Sequence, residues 1–231
     1  MSDQSVKYHF KAPDLTAQAL TPRQMGLEYI SAQRLDIAGS AVVDSGEEEA
    51  CLVCLYGGLE YRAPRISGSA CTSNMLYLPR RTTIELQALS ETVVMGFGAP
   101  ADSDTRFAQL AFATVDTDPA RRLMVGLCRG DVGGWAAWPP HEHASKREEV
   151  YVYFDMGRAF GVQCVYEDLD HPLAVTLVTE GDLVSFPRGH HPSVACPVGR
   201  MSHVYCMAAK QPGDRNFMDL SIQAVYGDKL E

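Results

Sequence analysis

A long succession of short apolar runs, each ended by glycine, proline or aspartate, is the feature that most constrains the fold of this chain. Only the stretch 20–33 has room for one or two helical turns, and 118–122 is predicted as a turn. Many short strands at intervals of roughly 8–12 residues are typical of β-sandwiches and β-barrels. We therefore predict an all-β protein with strands at 50–56, 74–78, 83–86, 92–97, 123–127, 150–154, 160–166, 174–178, 182–186 and 200–208.

Part of this pattern occurs twice. The pair Glu48-Glu49 and the apolar run after it resemble Glu148-Glu149 and the run that follows, and in both copies a later apolar run ends in Pro-Arg (79–80 and 187–188). Matching order in both copies predicts two similar barrels in tandem. We place them at residues 1–115 and 116–231, because residues 99–104 interrupt the apolar pattern. The echoed strands of the first barrel contain no histidine, which predicts a structural barrel without metal.

Composition narrows the choice of partners. The 20 Lys+Arg and 29 Asp+Glu residues give a formal net charge of −9, which argues against nucleic acid and anionic membranes. No stretch has the ~18 apolar residues needed to span a bilayer, and the polar segment 1–13 lacks the apolar core of a signal peptide, so we expect a cytoplasmic protein. The seven cysteines, including Cys51 and Cys54 of a C-x-x-C run, are interpreted as buried core residues in a reducing compartment.

Histidines mark a candidate site. Six of the seven lie between residues 141 and 203, and His141-Glu142-His143 places two imidazoles on one face of a strand because side chains alternate. A carboxylate from the next strand, Glu148 or Glu149, and a later histidine from His190-His191 would complete a metal site. Imidazole and carboxylate suit Zn, Mn, Fe, Co or Ni, and such a ligand set leaves positions open for substrate.

Longer motifs then resemble a known family. The strings W-P-P-H-E-H (138–143), E-E-V-Y-V-Y-F-D-M (148–156), F-P-R-G-H-H-P-S-V (186–194) and M-A-A-K (207–210) are similar to the bicupin uronate isomerases of the cupin superfamily. These comprise the 5-deoxy-glucuronate isomerase family and the related ketol-isomerases of pectin breakdown. The resemblance implies two tandem antiparallel β-barrels of the jelly-roll type and a divalent metal, for which we expect zinc.

The resemblance also implies the ligands His141, His143, a glutamate and His191. The common cupin spacing selects Glu148 as the glutamate, whereas alignment on the following Val-Tyr selects Glu149. We prefer Glu149, because alternation then directs two tyrosines to the same interior face. His190 should point away from His191 in an extended chain and is a lesser candidate.

The activity implied by the resemblance is an aldose–ketose isomerisation, most specifically of 5-deoxy-glucuronate to 5-dehydro-2-deoxy-gluconate in inositol catabolism. Such a reaction moves one proton between adjacent carbons and another between their oxygens, while a bound divalent cation stabilises the enediolate. A general base must carry the proton. The candidates for this base are Glu148, Lys146 and Tyr151.

Substrate contacts are predicted at three further residues. Arg188 is the candidate for the substrate carboxylate, since a bidentate pair fixes orientation as well as charge; a surface arginine after a strand is an equal alternative. Tyr153 and Tyr205 are candidates for the pocket wall, although aromatic residues on strands are more often core. Trp135 and Trp138, just before the histidine motif, could also form a wall.

Other functions stay open at this stage. They are a pectin-type deoxy-hexosulose-uronate ketol-isomerase, a cupin Fe(II) oxygenase and a non-catalytic sugar-binding cupin, since one fold hosts many chemistries. The loop 144–147 is short and basic, whereas inositol-type enzymes tend to have a longer acidic insertion there, so the identity of the uronate is undetermined. A small sugar acid is the expected partner. A homo-oligomer is an open expectation, because unpaired sheet edges need cover.

Overall fold

The computed structural model describes residues 6–110 and 119–227. The predicted boundary between residues 115 and 116 lies outside the described residues, as does Asp118 of the predicted turn. Helical elements are short: the α-helix α1 (Ala12–Ala17) and two 3₁₀ turns at Pro22–Met25 and Ala224–Tyr226. None of the helices in these two ranges is long and apolar enough to cross a membrane.

The strands before residue 111 are β1 (His9–Phe10), β2 (Ser31–Ile37), β3 (Ser40–Asp44), β4 (Glu48–Tyr56), β5 (Gly58–Ala63), β6 (Ile66–Cys71), β7 (Met75–Leu78), β8 (Thr83–Ala88), β9 (Thr92–Pro100) and β10 (Ala108–Leu110). Those after residue 118 are β11 (Leu123–Arg129), β12 (Trp135–Ala136), β13 (His141–Glu142), β14 (Arg147–Phe154), β15 (Gly161–Val165), β16 (Ala174–Val178), β17 (Leu183–Phe186), β18 (Ser193–Ala195), β19 (Ser202–Ala209) and β20 (Ser221–Ile222).

The same sheet plan occurs on both sides of residues 111–118. The N-terminal part has a five-stranded sheet, β10-β7-β4-β9-β2, and a four-stranded sheet, β3-β8-β5-β6. The C-terminal part has a five-stranded sheet, β1-β17-β14-β19-β11, and a four-stranded sheet, β12-β18-β15-β16. In addition, β13 pairs with β20. Because β1 pairs with β17, residues 9–10 belong to a sheet of the C-terminal part.

Alternation along the central strands divides the interior into three cores. In β14, Val150, Val152 and Phe154 lie in a core shared by the two five-stranded sheets. Tyr151 and Tyr153 face the opposite way, into a core of the C-terminal part. Residues of β4 divide in the same manner between the shared core and a core of the N-terminal part. A strand buried on both faces explains why these runs are continuously apolar.

The sequence repeat aligns Glu48-Glu49 with Glu148-Glu149. The strand register aligns the two parts of the chain differently, with an offset of one residue from that repeat. Ala50 on β4 is opposite the last residue of β7, and Glu149 on β14 is opposite the last residue of β17. Ala50 therefore occupies the position of Glu149, and Glu49 occupies the position of Glu148. The N-terminal part has alanine where the C-terminal part has its inward-facing carboxylate.

The all-β prediction is confirmed, and each of the ten predicted strands overlaps an observed one. The helical turns predicted within 20–33 are limited to the 3₁₀ turn at Pro22–Met25, because the stretch ends in β2. The sequence analysis did not find α1, whose first turn is stabilised by Asp14 accepting a hydrogen bond from the Lys11 amide. Several of the additional strands, such as β3 and β6, are edge strands with mostly exposed or partly exposed residues.

Candidate metal centre

Three histidines meet at one end of the C-terminal part. His141 lies on β13, His143 follows it, and His191 lies five residues beyond the end of β17. Their ring centroids are 4.9 Å apart for His141 and His191, 5.3 Å for His143 and His191, and 6.2 Å for His141 and His143. Each offers one nitrogen, and these three atoms lie within 4.8 Å of one another. This spacing could hold a metal ion.

Two local turns bring the histidines into place. After His143, the amides of Lys146 and Arg147 donate to its carbonyl oxygen at 2.9 and 3.0 Å, which returns the chain directly into β14. Before His191, Gly189 has φ of +90°, and its Cα hydrogen faces the carbonyl oxygen of Tyr166, where a Cβ would come within 2.9 Å. Only glycine adopts this conformation at no steric cost. The glycine of the Gly-His-His-Pro segment thus directs His191 inward.

Backbone carbonyls fix the orientation of the imidazoles. The Nδ1 of His141 is 2.9 Å from the Pro139 carbonyl oxygen, and the Nδ1 of His191 is 3.0 Å from that of Gly189. For His143 the corresponding distance, to the Arg147 carbonyl oxygen, is 3.5 Å. A carbonyl oxygen only accepts, so each Nδ1 carries the proton and each Nε2 is left as a lone-pair donor. Ligating histidines in metalloproteins are oriented in this way.

Glu149 supplies a carboxylate to the same point. Its Oε2 is 2.9 Å from His143 Nε2 and 3.1 Å from His191 Nε2. The first approach is a hydrogen bond, whereas His191 Nε2 has no hydrogen-bond partner among the described residues. All three groups are buried. Although burial alone would raise the pKa of Glu149, His143 and His191 hold it below its ordinary value, so the carboxylate is ionised.

The protonation state of the centre also suits a cation. Burial lowers the pKa of His141 to about 4, with a smaller contribution from the neighbouring His191. His141 is therefore neutral near pH 7, the form that ligates metals. A neutral imidazole and an ionised carboxylate are typical donors to a divalent transition metal.

Glu148 does not belong to this centre. Its carboxylate lies on the other face of β14 and accepts hydrogen bonds of 2.7 Å from the amides of Glu28, Tyr29 and Ile30. A carboxylate with three backbone donors, on the face opposite to the histidines, does not fit the general-base role predicted for Glu148. Alternation along the strand separates it from Glu149.

Of the other predicted catalytic residues, Tyr151 lies beside the histidines and Lys146 does not. The Tyr151 ring is 5.8 Å from the His191 ring, centroid to centroid, and packs edge-on against Phe186. Burial raises the pKa of Tyr151 well above its ordinary value, so the phenol keeps its proton. Lys146 is exposed, with its Nζ 3.4 Å from Asp219 Oδ2, which does not fit the general-base role predicted for it.

Of the three residues predicted to contact substrate, Tyr153 and Tyr205 lie in the interior and Arg188 lies at the surface. Tyr153 is buried and donates a 2.5 Å hydrogen bond to Gln163, and Tyr205 is partly buried opposite Tyr151 on β19. Arg188 is more than half exposed and lies 3.6 Å from Glu167, because the chain leaves the strand at Pro187. Its surface position does not fit the predicted carboxylate contact.

Three further aromatic residues named in the sequence analysis lie outside the group of ligands. His190 stacks on Tyr166, with ring centroids 5.5 Å apart, and points away from His191 as alternation predicts. Trp135 and Trp138 are half exposed, with their rings 5.0 Å apart. They form part of the surface beside the histidine motif.

The sequence analysis missed two buried residues near the centre. His203 on β19 stacks on Tyr151 at 4.0 Å between centroids, and burial lowers its pKa to about 4. Arg147 is the first residue of β14 and has no exposed surface. Alternation was the available signal, since His203 shares a face with Tyr205 and Arg147 shares one with Glu149.

Comparison with known proteins gives a family match. The model of the KduI/IolB family matches residues 106–224. A curated relative, the 5-deoxy-glucuronate isomerase of Geobacillus kaustophilus strain HTA426, is 25% identical over 218 aligned residues, which cover 77% of this chain and 79% of the relative.

Solved structures show the same fold. The crystal structure of an IolB-like protein from Salmonella typhimurium LT2 superposes with a TM-score of 0.81 at 19% identity, covering 94% of this chain and 97% of that one. A mutant of Bacillus subtilis oxalate decarboxylase superposes with a TM-score of 0.64 at 10% identity, covering 91% of this chain and 78% of the other. At these identities the likeness concerns the fold alone, which is cupin-like.

Proposed function

This chain belongs to the KduI/IolB family, and on that basis we propose that it is a metal-dependent aldose–ketose isomerase of a deoxy-uronate sugar. The proposed reaction converts 5-deoxy-glucuronate to 5-dehydro-2-deoxy-gluconate. The curated relative that aligns with 77% of the chain is a 5-deoxy-glucuronate isomerase, which supports this substrate over the pectin-type alternative. Zinc is the proposed ion, and the cytoplasm the proposed compartment.

One observation carries the proposal. The Oε2 atom of Glu149 lies 2.9 Å from His143 Nε2 and 3.1 Å from His191 Nε2, and the Nδ1 atom of each of these histidines is directed to a backbone carbonyl. Buried lone pairs that face one another repel unless a proton or a cation lies between them. His141 adds a third imidazole. We propose that His141, His143, Glu149 and His191 hold one divalent ion.

The ion would polarise the substrate carbonyl and stabilise the charge of the enediolate. The residues of the chain have separate tasks around it. The three Nδ1–carbonyl contacts hold the imidazoles in an orientation that turns each Nε2 towards the proposed ion. Tyr151 retains its proton at neutral pH and is proposed to donate a hydrogen bond to a substrate oxygen. His203, neutral near pH 7, supports the Tyr151 ring by stacking.

The proposed architecture is that of a bicupin with one active barrel. The repeated sheet plan and the correspondence of Ala50 with Glu149 support it. In the N-terminal part an alanine methyl cannot ligate a cation, and no histidine lies on β2 to β10. We propose that this barrel has a structural role and that the metal site belongs to the C-terminal barrel alone.

The test is turnover of 5-deoxy-glucuronate by the metal-loaded protein, followed by NMR of the aldehyde proton. The proposal predicts loss of this signal with the wild type and a rate reduced by at least about 100-fold in Glu149→Gln, since the ion would lose its only anionic ligand. A wild-type protein that leaves the aldehyde unchanged with each of Zn, Mn, Fe and Co would rule out this substrate.

A further inference from the structure

Arg147 is a buried cation whose donors are incompletely used. Its side chain has no exposed surface. Nη1 donates a 2.8 Å hydrogen bond to the carbonyl oxygen of Asp219. Within residues 6–110 and 119–227, Nε and Nη2 have no hydrogen-bond partner. Buried polar groups are nearly always satisfied, so each exception requires an explanation.

The two unused nitrogens form one edge of the guanidinium. The N–H bonds of Nε and Nη2 run parallel and fit the two oxygens of a carboxylate. The same edge binds carboxylates elsewhere in this protein. Arg81 uses its Nε and Nη2 on Glu47 at 2.9 and 3.0 Å, and Arg121 uses them on Asp102 at 2.9 and 3.3 Å. In Arg147 this edge is buried and has no hydrogen-bond partner among the described residues.

Arg147 lies on the side of β14 that carries the metal centre. It is two residues before Glu149 and four before Tyr151, so all three side chains leave the strand on the same face. No hydrogen bond joins the Arg147 guanidinium to the Glu149 carboxylate. Arg188, the residue predicted for the substrate carboxylate, is instead at the surface beside Glu167.

We propose that the Nε–Nη2 edge of Arg147 receives the carboxylate of the sugar acid while the metal centre holds the reacting end. This inference rests on the proposed function, because it takes a sugar carboxylate as the ligand. A guanidinium and a divalent ion beside a single ligating carboxylate leave net positive charge, which favours an anionic substrate whose charge increases in the enediolate. Since Arg147 is fully covered, the ligand reaches it only when neighbouring groups, among them Asp219, move.

Calorimetric titration with D-glucuronate and D-glucose tests this inference without turnover, because the two sugars differ only at the carboxylate carbon. The metal-loaded wild type should bind glucuronate more tightly than glucose. Arg147→Lys keeps a charge but loses the two-donor edge, and it should weaken glucuronate binding about 10-fold. Arg147→Met should weaken it about 100-fold. Neither change should affect the affinity for glucose.

The matched control Arg81→Met removes an exposed guanidinium in the N-terminal part and should bind both sugars like the wild type.

Thermal melting and metal content of each variant separate loss of the carboxylate contact from loss of the fold. If Arg147→Met does not fold, Arg147→Lys decides the outcome. Wild-type affinity for glucuronate in a folded Arg147 variant would overturn the inference, as would equal binding of the two sugars by the wild type or loss of glucuronate binding in Arg188→Met. Arg147-dependent binding of glucuronate without turnover of 5-deoxy-glucuronate would instead contradict the proposed function and leave this inference standing.

Discussion

Glu148 and Glu149 are consecutive residues of β14, and their carboxylates serve different parts of the molecule. Glu149 faces His143 and His191, with its Oε2 2.9 Å from His143 Nε2. Glu148 faces the shared core and binds the amides of the segment that leads into β2. Strand alternation therefore separates the carboxylate of the proposed metal site from a structural carboxylate within a single dipeptide.

Replacing Glu148 by glutamine should destabilise the fold and spare the metal site. Glutamine keeps the shape but loses the charge, and it presents an NH₂ group to backbone donors. Charge-assisted hydrogen bonds contribute about 1.5–3 kcal/mol each, so we expect the free energy of unfolding to fall by at least about 2 kcal/mol. Urea denaturation of metal-free Glu148→Gln and wild type measures the difference. Equal midpoints and slopes would show that the three amide contacts contribute nothing.

Replacing Glu49 should destabilise the fold as replacing Glu148 does, because each carboxylate binds backbone amides of the other part of the chain. Glu49 accepts hydrogen bonds of 2.6–2.9 Å from the amides of residues 121–123, which lead into β11. We expect Glu49→Gln to lower the free energy of unfolding by a similar amount, about 2 kcal/mol or more. Denaturation should again be measured without metal. Destabilisation by only one of the two substitutions would argue against the correspondence of the two positions.

His203 should make the metal-free protein sensitive to acid. Its folded-state pKa of about 4 lies below the ordinary value of about 6.5, so the unfolded chain binds more protons between these values. Stability from neutral His203 is therefore complete above about pH 6.5 and is lost as the pH falls towards 4. In His203→Phe, which retains a ring to stack on Tyr151, the loss of stability between pH 7 and pH 5 should be smaller. An identical loss in both proteins would refute this assignment.

Sequence reasoning recovered what depends on local periodicity. Continuous apolar runs predicted the central strands, and alternation with Tyr151 selected Glu149 over Glu148. It did not identify the partner of Glu148, since residues 28–30 are about 120 positions away along the chain and approach only when the two five-stranded sheets pack. Alternation alone does not show which polar groups stay unsatisfied.

The positions of Arg188 and Arg147 could likewise not be predicted from local sequence. Arg188 follows a predicted strand in a motif rich in histidine, yet the turn at Gly189 leaves it at the surface. Arg147 belongs to a short basic loop motif that is typical of exposed residues. In the folded chain it is buried and donates a hydrogen bond to the carbonyl oxygen of the distant residue Asp219. The surface position of Arg188 and the buried position of Arg147 both result from tertiary packing.

The most direct test of the central claim is the affinity of the metal-stripped protein for one divalent ion, measured by competition with a chelating dye in Glu148→Gln and Glu149→Gln. Replacing a residue that only hydrogen-bonds to a metal ligand typically weakens metal binding 10–100-fold. We therefore expect Glu149→Gln to bind zinc more than about 100-fold more weakly than the wild type, and Glu148→Gln to bind it within a few-fold of the wild type. Wild-type affinity in Glu149→Gln, or loss of binding confined to Glu148→Gln, would contradict the assignment of His141, His143, Glu149 and His191 as the metal site.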